Sequence, residues 1–445
     1  MKIKLPEEVE YIIKTLEDSG FEAYAVGGCI RDCIMGAEPK DWDICTQALP
    51  RQAMECFAKH RTFETGLKHG TISLRLNKQT YEITTFREDG HYEDNRRPES
   101  VQFIADIKSD LARRDFTINA LAYNRKKGLI DYFGGINDIE NKTLRCVGNA
   151  GKRFEEDALR IMRALRFASS LELKIEPTTA NEIINKRKLL ENIAAERISV
   201  ELDGLLTGRN AEKILSDFTS VIETIIPEIT DMVGFEQNNP YHYLDVWNHT
   251  VKSVINAPKD KAIRLTMLLH DIGKPSCYTY SEGKGHFHGH QAVSEKMARK
   301  ILGRLKYDND TIHTVTKLIL YHDVSISPDN RQIKRWLNRL GETDMLRLIE
   351  VKRADAMAQS EQYRDSRLEE LGNISQMISE IIKQQQCFSL KDMAINGKDL
   401  IEIGFPQDSS IGATLKKLLE MIIDEQIEND RLILLSTADT LLKQS

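Results

Sequence analysis

Asp41 and Asp43 flank Trp42 in the run Asp41-Trp42-Asp43-Ile44-Cys45, which reads as a β-strand. Residues i and i+2 of a strand project to the same side, so both carboxylates face one space. Like charges held together repel unless a cation bridges them. Two Mg²⁺ ions roughly 4 Å apart serve in-line attack on a nucleoside triphosphate, one activating the attacking hydroxyl and both stabilising the transferring phosphoryl group. Glu82, on a second alternating run, is placed to add a third carboxylate. Upstream, Gly27-Gly28 sits between a short apolar strand and a helix. Paired glycines let the backbone approach a phosphate, and the helix start offers free N–H groups. Arg31, on the first turn, supplies a guanidinium for a phosphate oxygen. Taken singly, these features also fit a solvated acidic turn, a plain glycine turn and the polar face of a strand.

A second set follows much later: His249, the adjacent His270-Asp271, and Asp355, with His288, His290 and His322 as further imidazoles. His270-Asp271 ends an apolar helical run over residues 265–269, a position from which both side chains can reach a metal in a cavity. Mixed His/Asp ligation suits a transition metal better than Mg²⁺ alone. His242 and His286 are assigned no role, since an isolated histidine is usually a hydrogen-bonded structural residue.

A chain of 445 residues is long enough for two to four domains. With 41% hydrophobic and 29% charged residues it reads as an ordinary soluble composition. No stretch approaches a membrane span, and the N-terminus has no signal-peptide pattern. The seven cysteines lack any C-x-x-C pair, which indicates reduced, mostly buried thiols in a cytoplasmic protein rather than a zinc site. A net charge of -6 argues against coating nucleic acid by bulk charge. Locally, Arg145, Lys152, Arg153, Arg160, Arg163 and Arg166 form either a groove wall or a solvated helix face.

The elements that must position these residues are legible in outline. Val9, Ile12, Ile13 and Leu16 predict a helix over residues 7–18. Residues 21–26 predict a strand, residues 71–76 and 81–86 a hairpin, and residues 87–98 a polar loop. From residue 154 onward the pattern is helical, with Ala158, Ile161, Met162, Leu165, Phe167 and Ala168 in one apolar stripe. The expected fold is an α/β head with a small mixed sheet, followed by an all-α body. Its divisions are residues 1–148, 149–240, 241–364 and 365–445.

The run Ala25-Val26-Gly27-Gly28-Cys29-Ile30-Arg31-Asp32, continued by Pro39-Lys40-Asp41-Trp42-Asp43-Ile44, resembles the nucleotidyltransferase signature of bacterial CCA-adding enzymes and poly(A) polymerases. Four further runs match that family in order: residues 113–120, 131–138, 156–160 and 195–198. The resemblance implies that Asp41 and Asp43 hold catalytic Mg²⁺. It also implies that Arg114, Asp115 and Asn119 serve the triphosphate and ribose, and that Asp157 and Arg160 read the base, with Arg163 beside them. Three apart on a helix, Asp157 and Arg160 would present acceptors and donors together. An intrahelical salt bridge is the plainer reading of the same pair. The family's partners are the tRNA acceptor end, CTP and ATP, and its flexible loop corresponds to residues 87–98. Addition of A alone, CC alone or a poly(A) tail uses the same core motifs.

The order His249, His270-Asp271, Asp355, with the text Leu269-His270-Asp271-Ile272-Gly273-Lys274, resembles HD-type metal-dependent phosphohydrolases. That likeness implies Mg²⁺, Mn²⁺ or Ni²⁺, a second metal at His290 and His322 if the site is binuclear, and Lys274 on a phosphate. A phosphodiesterase with a vestigial head, and a structural domain gripping tRNA, are the competing readings.

Overall fold

The computed structural model describes residues 2–90 and 101–443, in two compact units, Met1–Pro227 and Glu228–Ser445. The first unit carries strands β1 (Ala23–Val26), β2 (Asp43–Thr46), β3 (Arg61–Gly66), β4 (Thr71–Leu76), β5 (Gln79–Thr85), β6 (Arg87–Asp89), β7 (Val101–Phe103), β8 (Leu121–Asn124) and β9 (Gly128–Asp131). Seven of them form one sheet in the order β3-β4-β5-β2-β1-β8-β9. The β2–β5 pair is parallel and the other pairs of that sheet are antiparallel. The head is therefore α/β with a mixed sheet, as the sequence indicates. The helix Glu7–Asp18 forms over the expected residues and buries Val9, Ile12, Ile13 and Leu16.

Alternation brings β4 and β5 together, and the turn between them places Asn77 and Lys78 at φ 46° and 70°. Two consecutive positive φ values match the right-handed twist of the flanking strands. Tyr24, Val26, Cys45, Phe86, Ile107, Leu111, Ala120, Ala122 and Val147 fill the core beside the sheet centre.

Three local expectations need correction. β2 begins at Asp43, so Asp41 lies in the approach to the strand rather than on it. The polar run 87–98 is not loop from its start, because β6 pairs with β7; the rest of that run, 91–98, lies outside the described residues. Asp157 and Arg160 do not share one helix, since Asp157 interrupts Ala150–Glu156 and Leu159–Ser170 with φ -138° and ψ 100°. Its carboxylate accepts the Leu159 N–H at 3.1 Å, a local bond that competes with helix continuation.

The second unit is mostly helical, from Val246–Asn256 to Arg431–Lys443. It is not all-α, because Thr279–Ser281 and Lys284–His286 form an antiparallel hairpin. One of its cores packs Cys387, Ile395, Leu400, Phe405, Leu418, Leu419, Ile422, Ile423, Leu434 and Ala438. No helix among the described residues is long and apolar enough to cross a membrane. The seven cysteines are all free thiols, and Cys29, Cys45, Cys146 and Cys387 are buried.

Asp131 closes the turn after β9. Its carboxylate accepts the N–H groups of Phe133 at 3.2 Å, Gly135 at 2.9 Å and Ile136 at 2.9 Å, capping the helix Gly135–Glu140. Gly135 is required there, since a Cβ would meet the Thr117 carbonyl oxygen at 2.3 Å. Asp131→Ala should destabilise the first unit by about 1 kcal/mol, as loss of a capping carboxylate does. Urea unfolding followed by circular dichroism checks this, and an unshifted midpoint contradicts it.

Candidate functional site

The centre of the sheet aligns the residues expected to act together. In the parallel β2–β5 pair Asp43 stands opposite Glu82, and in the antiparallel β1–β2 pair it stands opposite Val26. Register partners share a face, so the two carboxylates project together, and Gly27 follows directly from Val26. Asp41, Trp42, Asp43, Tyr81 and Glu82 line a cleft of about 800 Å³. Burial raises the Asp43 pKa; Arg114 opposes this, and the nearby Asp41 charge adds to it. Gly27 and Gly28 adjoin this cleft through the Val26–Asp43 pairing but do not line it.

Gly27 adopts φ 84°, a conformation that L side chains rarely take, and starts the helix Gly28–Ile34. A Cβ there would lie 3.0 Å from Arg114 Nη1, so that guanidinium packs close behind the turn. Arg114 is held by Asp110, at 3.4 Å from the Asp110 carboxylate. Burial pushes the Asp110 carboxyl up, but Arg114 and Arg113 more than reverse it and hold it below its usual range.

Arg31, Asn119, Asp115 and Arg163 form one bonded chain. Arg31 Nη1 donates to Asn119 Oδ1 at 2.7 Å, Asn119 Nδ2 donates to Asp115 Oδ1 at 3.0 Å, and Arg163 Nη2 donates to Asp115 Oδ2 at 2.6 Å. Burial raises the Asp115 carboxyl, but Arg163 and the Asn119 amide overcome it and bring its pKa to about 2. Sequence reasoning placed these four on a nucleotide; here they also hold one another.

Asp157 and Arg160 are neighbours without being a side-chain pair. Asp157 meets Arg197 at 3.2 Å. Arg160 reaches Glu156 at 2.7 Å and donates to the carbonyls of Arg153 and Arg113, each at 3.0 Å. The run from Arg145 to Arg166 is not a bare basic wall. Arg145 pairs with Asp138, Arg153 with Glu156, Arg163 with Asp115 and Arg166 with Glu201. Sequence reasoning missed Asp110, Glu201 and Phe167. The Phe167 ring has Arg166 at 3.9 Å, Arg31 at 5.1 Å and Arg163 at 5.3 Å from its centroid. Phe167 was legible only as a core position in the apolar stripe.

The second unit gathers the later His/Asp set. Asp355 Oδ1 lies 2.9 Å from His249 Nε2 and 3.7 Å from His270 Nε2, while Asp271 Oδ2 lies 3.1 Å from His270 Nε2. On the other side of Asp271, Oδ1 lies 3.4 Å from His290 Nε2 and 3.8 Å from His322 Nε2. Two groups have ligand atoms mutually within 4.8 Å: His249-His270-Asp271 and Asp271-His290-His322. Among the described residues Asp41, Asp43 and Glu82 do not form such a tight group.

The imidazoles are oriented by backbone. Nδ1 of His270, His290 and His322 bonds the carbonyls of Met267 at 2.8 Å, Phe287 at 2.8 Å and Ile319 at 2.6 Å. A carbonyl only accepts, so each Nδ1 carries a proton and each Nε2 is turned inward. Burial lowers the His270 pKa, but Asp271 and Asp355 reverse this and raise it to about 10. Burial lowers His322 to about 3. His270 Nε2 and both Asp271 oxygens are buried without a well-formed hydrogen bond. Lys274 lines the cavity above the cluster, and its ammonium lies 2.7 Å from Asp271 and 2.9 Å from Gln237.

Above the cluster opens a cavity of about 470 Å³ lined also by His242, Lys284, His286, His288 and Arg367. His286 and His288 stack on each other, so His288 lines the wall rather than joining the ligands. His242, set aside as structural, packs edge-on against His249. Arg367 carried no local signal, because only the helix Glu361–Lys383 brings it to the cavity.

Family comparisons agree with the first unit and extend into the second. The Poly A polymerase head domain family matches residues 23–145, and the family described as the probable RNA and SrmB-binding site of polymerase A matches residues 172–232. The family described as tRNA nucleotidyltransferase domain 2, putative, matches residues 288–438. The solved Bacillus stearothermophilus CCA-adding enzyme in complex with CTP superposes with a TM-score of 0.73 at 27% identity, covering 99% of each chain. The Thermotoga maritima CCA-adding enzyme, at 20% identity and a TM-score of 0.61, shares the fold. The CCA-adding enzyme of Limosilactobacillus fermentum is 32% identical over the full length of both chains. That of Enterococcus faecalis is 32% identical over 97% of this chain and 95% of its own, and with such identity across nearly the whole length this chain belongs to the CCA-adding enzyme family.

Proposed function

We propose that this chain adds C and A nucleotides to the 3′ end of tRNA without a template, taking CTP and ATP and releasing pyrophosphate. The observation that carries this reading is the register that sets Glu82, Asp43 and Val26-Gly27 side by side at the sheet centre. Family membership and the likeness to a CTP-bound relative support it.

The head acids fit a divalent cation, because Asp43 is destabilised by burial and by Asp41, a strain that a bound cation relieves. Asp41 and Asp43 would hold Mg²⁺, with Glu82 beside them. Bound there, the metal supplies a lowered pKa for the attacking hydroxyl and neutralises charge on the transferring phosphoryl group. The chain's own residues position the reactants. Gly27 and Gly28 admit the triphosphate close to the backbone, and Arg114 behind them supplies positive charge. Arg31 and Asn119 exchange part of their mutual bond for contacts to ribose and phosphate, with Asp115 and Arg163 holding their orientation. Asp157 and Arg160, at the break between two helices, read the base edge. Residues 149–240 act as neck, 241–364 as the HD-type domain and 365–445 as the tRNA-binding tail.

The decisive experiment incubates purified protein with tRNA lacking its 3′ end, plus CTP and ATP together and separately, read at nucleotide resolution. Addition that stops after CCA supports the proposal; continued A-tailing favours a poly(A) polymerase. Asp43→Asn should lower incorporation by at least about 100-fold with the fold intact. Full activity in this variant contradicts the metal role. Arg160→Ala should relax the choice of C and A over U and G more than it slows total transfer. Unchanged selectivity contradicts base reading, whatever the effect on stability.

The His/Asp cluster supports a second reading, a metal-dependent phosphohydrolase acting on phosphate esters at RNA ends. The donor set fits the group: inward-facing Nε2 atoms converging on the buried Asp271 carboxylate suit Mn²⁺, Ni²⁺ or Mg²⁺. His249, His270, Asp271 and Asp355 would hold one ion, and Asp271, His290 and His322 another; bound metal supplies Lewis acidity and an activated water. Titration with Mn²⁺ of the chain carrying Asp41→Asn and Asp43→Asn, which leaves only the cluster to count, should show two ions bound, and one when His322→Ala is added. Equal stoichiometry in both contradicts the second site.

A further inference from the structure

The helix Asn309–Tyr321 ends at the residue that matters most for the second half of the cluster. His322 caps it with φ -61° and ψ -34°, and its Nε2 faces Asp271 and His290. The last carbonyls of a helix have no intrahelical donor and carry the negative end of its dipole. Here two carbonyls at that end are met by one ammonium. Lys352 Nζ donates to His322 O at 2.7 Å and to Val324 O at 2.5 Å.

Lys352 is 3% exposed, so this charge has been taken out of water to make those bonds. An ammonium is costly to bury, and an apolar side chain would fill the same space more cheaply, unless the bonds it makes are themselves needed. The helix that carries it, Glu342–Ala356, also carries Asp355, one turn later. The backbone of one imidazole ligand is thus tied to the helix that bears the carboxylate ligand of the other group. The tie holds the turn 322–324, in which Asp323 also lines the cavity and accepts from Gln291 at 2.8 Å.

We propose that Lys352 is a positioning residue for the ion held by Asp271, His290 and His322, acting through the His322 backbone without touching the ion. The inference rests on reading this cluster as a metal site. It assigns an asymmetry: Lys352 bonds the His322 turn directly, whereas it reaches Asp355 only through the shared helix and the field of its charge, so the ion at His322 depends on it more. Lys352 fixes where His322 Nε2 points; it neither supplies a ligand nor moves a proton.

The test is Mn²⁺ titration of the full chain carrying Asp41→Asn and Asp43→Asn, which removes the head ions from the count, followed by electron paramagnetic resonance of free Mn²⁺. Lys352→Met removes the ammonium at similar length, and Lys352→Arg keeps a donor cation; a cavity of about 120 Å³ beside Lys352 gives the larger group room. Lys352→Gln, with an amide donor and no charge, is read in the same way if Lys352→Met does not fold. The expected result is two ions on this parent, at least tenfold weaker binding of one of them when Lys352→Met is added, the other affected less, and recovery in Lys352→Arg. Equal weakening of both ions, or of neither, overturns the positioning role. A parent that binds no Mn²⁺ with the cluster intact overturns the metal reading itself, and with it this inference. Normal binding of two ions in every variant overturns the positioning role alone.

Discussion

Two carboxylates in neighbouring strands stand on the same face and at the same height, and the first unit is arranged around that alignment. The parallel pairing of β2 with β5 puts Asp43 opposite Glu82, and the antiparallel pairing with β1 puts the same aspartate beside the Gly27 turn. A one-residue slip in either pair would turn Asp43 to the other face and separate acid from turn. The hydrophobic contacts of Tyr24, Val26, Cys45 and Phe86 hold the register, so the core fixes the chemistry. Positive charge is supplied from behind by Arg114, itself anchored on buried Asp110. The acids therefore face open space while their counter-charge is built into the wall, which leaves room for a cation and a triphosphate on the solvent side.

The second unit solves a different problem with backbone. Three of its imidazoles are fixed by carbonyls three residues earlier, each at a helix end or turn. The same local device settles ring orientation and tautomer without a carboxylate partner. The carboxylates of Asp271 and Asp355 remain for the centre, held well below their usual pKa by the surrounding imidazoles and, for Asp271, Lys274 once burial is overcome. The head site thus depends on sheet register and this one on helix ends, which is why their ligand spacings differ so much.

The legibility of the sequence followed the range of the interactions. Short-range patterns were readable: the helix Glu7–Asp18, the β4–β5 hairpin and the stripe around Ile161 and Leu165 all reappear. The His/Asp set was readable because His270-Asp271 ends an apolar helical run and its order with His249 and Asp355 resembles that of HD-type phosphohydrolases. Asp157 was misplaced because its side chain caps the next helix, a competition that periodicity does not register. The arginines from 145 to 166 looked like a solvated or RNA-facing run because two of their acids, Asp115 and Glu201, lie far away in sequence. Arg367 and Lys352 were silent for the same reason: only packing shows what they touch.

The central claim is that Asp43, aligned with Glu82 and the Gly27 turn, marks where cation and triphosphate meet. Crystals grown with Mn²⁺ and a non-hydrolysable CTP analogue, measured at the manganese absorption edge, address it directly. Anomalous density at the Asp43 carboxylate, with the analogue's phosphates between it and the glycine turn, is the expected outcome. Manganese confined to the histidine cluster, with the analogue bound away from β2, would contradict it.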